Sequence, residues 1–229
     1  MFTDIAPRYD ALNHLMSLGA DRGWRRRAVR VLQREGRPLD MLDLACGTGD
    51  LSLALQKALP EGSRITGADF SEGMLAVMRE KLARKGLEDK MPLVQADAAA
   101  LPFPEASFDA VTVAFGIRNF PDREQALREI QRVLRPGGIL VILELSEPEN
   151  RLLKACYRLY FRHILPFIGG LISGNRAAYK YLPDSVGRFP GRKEWMGIMQ
   201  RQGFEALSHK ALSLGLCRLY SGRRPNHSK

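Results

Sequence analysis

The run Leu42-Asp43-Leu44-Ala45-Cys46-Gly47-Thr48-Gly49-Asp50 limits what this chain can fold into more than any other stretch. Apolar, strand-forming residues lead straight into a turn with glycine at 47 and 49, and a helical pattern opens at Asp50. Glycine lets the backbone turn sharply and leaves no side chain between it and a ligand. The first turn of the following helix offers unpaired N–H groups to anything polar laid against it. Twenty residues past Gly49, after a second strand-like run over Arg64-Ile65-Thr66-Gly67-Ala68, stands Asp69. A carboxylate there is placed to accept from two ribose hydroxyls, with Phe70 beside it. The pattern describes a nucleoside-binding βαβ unit. Taken alone, such a turn also fits a purely structural strand-turn-helix.

Dinucleotide sites carry a third glycine three residues after the second, so that the helix packs close under a pyrophosphate. Ser52 stands there instead. Asp43 and Asp50 flank the turn and would repel a pyrophosphate while attracting an ammonium group. That favours S-adenosylmethionine, a cationic nucleoside, over a dinucleotide. Three more strands follow. Val94-Gln95-Ala96-Asp97-Ala98 ends in an acid suited to an adenine amine, with the Ala98 N–H suited to a ring nitrogen. Residues 108–114 form a fully buried strand, and residues 139–145 another. Pro136-Gly137-Gly138 reads as a helix stop. Strands alternating with helical runs predict a parallel sheet covered by helices, with ligands at the carboxyl ends of its strands. Gly47, Gly49, Asp69, Asp97 and the segment Gly116 to Asn119 then share one rim. Residues 192–202 read as a helix, and 205–212 and 216–222 as an antiparallel hairpin at the sheet edge.

With those residues in place, the core resembles a class I S-adenosylmethionine-dependent methyltransferase. The resemblance implies a Rossmann-like, mostly parallel seven-stranded sheet with an antiparallel C-terminal hairpin and a helical cap. Tyr9-Asp10-Ala11-Leu12-Asn13-His14-Leu15-Met16-Ser17-Leu18-Gly19-Ala20-Asp21-Arg22-Gly23-Trp24 resembles the N-terminal signature of the ubiquinone/menaquinone biosynthesis C-methyltransferases. The run from Arg132 to Ile139, continuing to Glu144-Leu145-Ser146, resembles their second signature. Phe115-Gly116-Ile117-Arg118-Asn119 and Tyr179-Lys180-Tyr181-Leu182-Pro183-Asp184-Ser185 read like the same family. Three positions depart from it: Leu12 where methionine is usual, Ala114 where serine is common, and Asp21 where histidine is usual. The last changes the charge and removes an acid–base group.

The resemblance implies methylation of a ring carbon on a prenylated hydroquinone. Loss of a phenol proton spreads negative charge to the ortho carbon, which then displaces the methyl of a sulfonium. It implies cofactor contacts at Asp43, Gly47, Thr48, Gly49, Asp69, Phe70, Asp97, Ala98 and, through backbone, Ala114. Arg118 is the candidate cation beside the phenol oxygen, with Asn119 as its hydrogen-bonding orienter. Tyr9, Asn13, Tyr179 and Tyr181 are the expected substrate contacts, and Trp24 reads as core of the lid. For the proton acceptor four candidates stand: a water held by Arg118, His163, His14, or Asp97. Other phenols or lipids as acceptors, and an RNA substrate met by basic flanks, are the competing readings.

Charge separates the chain into parts. Residues 1–39 hold 8 Lys+Arg against 4 Asp+Glu, residues 40–148 hold 12 against 17, and residues 149–229 hold 15 against 4. The expected organisation is an N-terminal helical lid over 1–38 and a cofactor core over 39–148. A helical cap over 149–191, a closing helix and strand pair over 192–222, and a loose tail over 223–229 complete it. Basic flanks around an acidic core favour an anionic surface as partner. In residues 152–173 Lys154, Arg158 and Arg162 recur every four residues among Leu, Tyr and Phe, which suits a bilayer interface and equally a substrate cap. The segment is too charged to span a membrane. Its apolar surface would also serve a homodimer. No nucleic-acid partner is expected, since the basic runs are not interleaved with glycines. Cys46, Cys156 and Cys217 lack metal-ligand spacing, so reduced thiols in the cytoplasm and no metal are expected. The first eight residues lack the apolar stretch of a signal peptide.

Overall fold

The computed structural model describes residue 14 and residues 17–159 and 184–226. Seven strands form one sheet in the order β3-β2-β1-β4-β5-β7-β6. They are β1 (Asp40–Leu44), β2 (Arg64–Asp69), β3 (Leu93–Gln95), β4 (Phe108–Ala114), β5 (Leu134–Leu145), β6 (Glu205–Leu212) and β7 (Cys217–Arg223). The first five pair in parallel; β7 runs antiparallel to both β5 and β6, so the C-terminal hairpin closes one edge. The helices are α1 (Ala20–Gln33), α2 (Asp50–Ala58), α3 (Glu72–Ala83), α4 (Arg123–Val133), α5 (Arg151–Leu159) and α6 (Arg192–Arg201). The expected class of fold is thus the observed one.

Side chains alternate across β1, and the two faces meet different layers. Leu42 and Leu44 pack with Ala126, Leu127 and Ile130 of α4 and Trp195 of α6. Met41 packs with Ala28 and Leu32 of α1 and Leu55 of α2. Helix α4 shows why this works: its buried residues Ala126, Leu127, Ile130 and Val133 recur at helical spacing, and the Asp122 carboxylate caps its start by accepting from the Gln125 N–H at 2.8 Å.

Three expectations shift. The third strand is shorter than its sequence suggests, ending at Gln95. The fifth is longer: α4 stops at Val133 and the chain is strand from Leu134, through Pro136-Gly137-Gly138. The last residues explain it. Gly137 donates its N–H to the Arg224 carbonyl at 3.0 Å, and the Arg224 N–H donates to the Gly138 carbonyl at 2.9 Å. A register shift between Phe108 and Ala110 absorbs the extra residues. For the same reason residues 223–226 are no loose tail. The Arg224 guanidinium donates to the carbonyls of Gln131, Arg132 and Leu134, groups that a helix end leaves unpaired. Arg223 pairs with Glu35 at 2.5 Å.

Beyond β4, residues Ile117–Asn119 make one short 3-10 turn. It is held by an ion pair inside the protein: Arg118 Nη1 donates to Glu144 Oε1 at 2.8 Å, and the Arg118 backbone N–H donates to Glu144 Oε2 at 3.1 Å. The side chains are 6% and 0% exposed. Breaking such a pair leaves one charge buried without its partner. Glu144→Ala should therefore lower the unfolding free energy by about 3–5 kcal/mol in urea titrations, with Glu144→Gln milder. A loss below about 1 kcal/mol, the range of a surface pair, would mean the pair is solvated.

Candidate active site

Between β1 and β4 the strand order reverses, and the chains leaving the two strands part. Ala45 and Phe115 carry the divergence with left-handed backbones, φ 54° and 59°. Such angles are uncommon for residues with a side chain and collect at functional sites. Gly116 faces Ala45 across the gap; a Cβ there would lie 2.5 Å from the Ala45 Cβ. The crevice opens into a cavity of about 340 Å³, the size of a small-ligand site. Its wall includes Gly47, Asp69, Phe70, Asp97, Ala98, Ala114, Phe115, Gly116 and Asn119. A smaller pocket shares Ala45, Gly47, Ala114 and Phe115 with it and adds Arg25, Asp43, Cys46, Thr48 and Asp50.

Asp69 is held as a rim acceptor. Oδ2 accepts from the Gly47 N–H and Oδ1 from the Ser71 N–H, both at 2.8 Å. An ionised carboxylate offers about four acceptor sites, so two backbone donors fix its orientation and leave capacity for two hydroxyls. Burial raises the Asp69 carboxyl above its ordinary range despite the N–H groups of Ser71, Gly47 and Phe70. Phe70, next along the chain, exposes 72% of its surface at the cavity mouth; a flat ring left open there is a stacking surface. Asp97 is exposed, and one oxygen accepts from Ala99 N–H at 2.9 Å, leaving the other for a ligand amine.

Asp43 sits deeper, fully buried, accepting from the hydroxyls of Ser52 and of Thr112, the latter at 2.7 Å. Ser52 occupies the position of the missing third glycine, and its hydroxyl is what makes this burial tolerable. Even so, burial raises the Asp43 carboxyl to about 6. Asp50 faces the same pocket already paired, with Lys81 Nζ at 3.0 Å and Arg25 Nη2 at 3.4 Å. Of the two carboxylates flanking the turn, Asp43 is the one without a cation within ion-pair distance among the described residues.

Several expected residues take other places. Gly49, at φ +87°, lines neither cavity; a Cβ there would meet Met78 Cγ at 2.8 Å, so its glycine serves the packing of α2 on α3. Arg118 is absent from the cavity wall, although its neighbours Gly116 and Asn119 line it. Its guanidinium is engaged by Glu144, the Phe115 carbonyl and Ser185 Oγ. Tyr9, Asn13, Tyr179 and Tyr181, with His163, lie outside the described residues. Trp24 is buried, 6.2 Å from the Phe115 ring, and donates to Ser213 Oγ at 2.8 Å, in keeping with a core role. Sequence reasoning missed Arg25 and Phe115, whose ring carries the Arg25 guanidinium 5.8 Å from its centroid. Arg25 lies one helical turn past Asp21 and pairs with it at 2.5 Å, and that i,i+4 spacing was the available signal.

The residue set fits an adenosyl cation. Asp69 has acceptor capacity for a ribose, Phe70 and Asp97 offer a ring face and an amine acceptor, and the buried Asp43 gains from a nearby positive charge.

Comparison with known proteins agrees. Residues 1–224 match the model of the ubiE/COQ5 methyltransferase family. A demethylmenaquinone methyltransferase of Thermus thermophilus is 51% identical over 98% of this chain and 100% of its own length. A ubiquinone/menaquinone biosynthesis C-methyltransferase UbiE of Geobacter sulfurreducens is 48% identical over 98% of this chain and 87% of its length. Among solved structures, a Thermotoga maritima SAM-dependent methyltransferase superposes with a TM-score of 0.66 at 19% identity, covering 98% of this chain and 100% of that one. Phosphoethanolamine N-methyltransferase 2 of Haemonchus contortus, solved with S-adenosyl-L-methionine, gives 0.63 at 16%, covering 87% and 52%. At those identities the two structures speak for the fold.

A carboxyl raised to about 6 by burial has a consequence for a cationic ligand. The cation stabilises the ionised form, so binding below pH 6 must expel a proton from Asp43. Affinity for S-adenosylmethionine should therefore tighten from pH 5 to pH 6.5, by up to about tenfold per pH unit, and level off above. Calorimetry across that range checks it, with Asp43→Asn flattening the slope. A wild-type affinity independent of pH would contradict it.

Proposed function

The chain belongs to the ubiE/COQ5 methyltransferase family and is an S-adenosylmethionine-dependent methyltransferase, and on that premise we propose that it methylates a ring carbon of a prenylated naphthohydroquinone, converting demethylmenaquinol to menaquinol. The observation that carries this reading is the Asp69 rim above the β1–β4 crevice, in a chain alike over 98% of its length to a demethylmenaquinone methyltransferase. That relative's name favours a naphthoquinol over a benzoquinol acceptor.

When bound, the cofactor supplies a methyl group made electrophilic by the sulfonium. The chain's own residues then have four tasks. Asp69 receives the ribose hydroxyls, and Asp97 with the Ala98 N–H receives the adenine edge. Phe70 covers the base, while Gly47, Thr48 and the backbone at Ala114 line the passage to Asp43. The short turn after β4 serves the acceptor ring: Asn119 lines the cavity and bonds a quinol oxygen. Arg118, tied to Glu144, is a positioning residue that keeps this turn in place. Holding the ring carbon against the methyl in near-attack geometry removes much of the entropic barrier. Tyr9, Asn13, Tyr179 and Tyr181, outside the described residues, remain the proposed substrate contacts.

A prenyl tail has to be reached from a bilayer. Helix α5 carries Leu152 and Leu159, 74% and 59% exposed, next to basic residues. No helix among the described residues is long and apolar enough to cross a membrane. We propose that α5 meets anionic lipid at the inner face of the cytoplasmic membrane.

Incubation with chemically reduced demethylmenaquinone and methyl-labelled cofactor tests the reading. Label is expected on a ring carbon, with faster turnover when anionic vesicles carry the quinol. Label confined to a benzoquinol, to RNA or to no acceptor at all would contradict it.

A further inference from the structure

Two leucines are displayed to solvent at a conformational cost. Leu18 stands in the turn before α1 at φ 49°, 81% exposed. Leu214 stands in the Ser213–Gly215 turn between β6 and β7 at φ 58°, 76% exposed. Left-handed backbone penalises a bulky side chain and suits glycine or asparagine. Burial offsets that cost at neither position, so the fold alone would be better served by either of those residues.

Both turns are pinned in place. The Gly19 N–H donates to the His14 carbonyl at 2.8 Å, and the Ala20 N–H to the Ser17 carbonyl at 3.0 Å. Trp24 Nε1 donates to Ser213 Oγ at 2.8 Å on one side of the second turn, and Ser146 Oγ donates to the Gly215 carbonyl at 2.7 Å on the other. The Trp24 bond ties that turn to the start of α1, so the two leucines belong to one edge of the molecule. It is the edge at the ligand end of the sheet. Leu212 of β6 pairs with Cys217 of β7, and Cys217 pairs with Leu145, the last residue of β5. Arg25, near the start of α1, lines the smaller pocket.

A row of cations starts from this edge. Arg22, Arg26, Arg30 and Arg34 recur every four residues along α1, which puts them on one face, and each is exposed. Among the described residues none of the four has an ion-pair partner. The one acid of the helix, Asp21, is buried against Arg25. Like charges four residues apart on a helix repel, so the row gains from an anion outside the protein. Bare leucines beside a row of guanidinium groups match a phospholipid surface, where the leucines enter the acyl boundary and the arginines meet phosphate. An RNA backbone would satisfy the arginines and leave the leucines in water.

We propose that the turns carrying Leu18 and Leu214, with Arg22, Arg26, Arg30 and Arg34, dock this edge onto an anionic bilayer. The purpose of the docking rests on the prenylated-acceptor reading above: it holds the ligand end of the sheet against the leaflet that carries the prenyl tail. Together with α5 it makes two attachments, which fix how the crevice faces the lipid.

Co-sedimentation with vesicles of phosphatidylglycerol and phosphatidylcholine tests the docking without any acceptor. Leu18→Asn combined with Leu214→Asn should lower partition by about tenfold, with thermal stability equal to wild type or higher, because asparagine accepts left-handed backbone. Arg22→Gln, Arg26→Gln and Arg30→Gln together should lower it by about 100-fold and weaken its dependence on salt. Turnover of a short-chain quinol free in solution should be unchanged in both variants. Undiminished partition in both, equal wild-type binding to vesicles of phosphatidylcholine alone, tighter binding to RNA than to anionic vesicles, or a leucine variant that melts below wild type would overturn the inference while leaving the methylation reading intact. A wild type that binds anionic vesicles through these residues yet methylates no quinol would overturn that reading and leave the docking in place.

Discussion

Two strands that run side by side and then part create everything the site needs. β1 and β4 are paired from Met41–Ala110 to Leu44–Val113, after which their continuations turn away from one another. A parallel sheet must have such a point wherever its strand order reverses, and ligands collect there because backbone N–H groups and strand-end side chains converge on a gap no strand fills. In this chain the parting uses left-handed backbone at Ala45 and Phe115 and a bare Gly116 between them. The strain is tolerable because β1 and β4 are clamped below by two packed helical layers.

Charge is managed unevenly around that gap. Carboxylates that hold structure have cations of their own: Glu144 has Arg118, Asp21 and Asp50 have Arg25, and Asp40 and Asp109 share Arg135. Among the described residues Asp43 and Asp69 are held by hydroxyls and backbone N–H groups and make no ion pair, and both carboxyls are raised by burial. A cationic ligand relieves that cost, which makes the crevice selective for a sulfonium over a pyrophosphate. The same logic changes the part played by Arg118. Paired with Glu144 inside the protein, its guanidinium holds the short turn after β4.

Much of the sheet is legible in the chain itself, because β1, β2 and β4 are buried on both faces and read as short apolar runs closed by acid or glycine. The Asp69 and Asp97 rim follows from the same register. What resists reading depends on distant partners. Pro136-Gly137-Gly138 looks like a stop until Arg224 pairs with it from 86 residues away, and Arg224 also caps the helix that precedes it. Glu144 gives no local sign that it will meet Arg118. Gly49 resembles a ligand glycine but answers to Met78 on a neighbouring helix. Asp21 gives no local sign that it will meet both Arg25, one helical turn on, and His14, seven residues back.

The central claim is that Asp69 grips the ribose of an adenosyl cation at the edge of the β1–β4 gap. Calorimetric titration of S-adenosylhomocysteine into wild type and Asp69→Ala tests it most directly, since binding is read without any acceptor. Loss of charge-assisted hydrogen bonds should weaken binding by roughly 1–3 kcal/mol with the fold unchanged by circular dichroism. Equal affinity in the two proteins would place the nucleoside elsewhere and contradict the account.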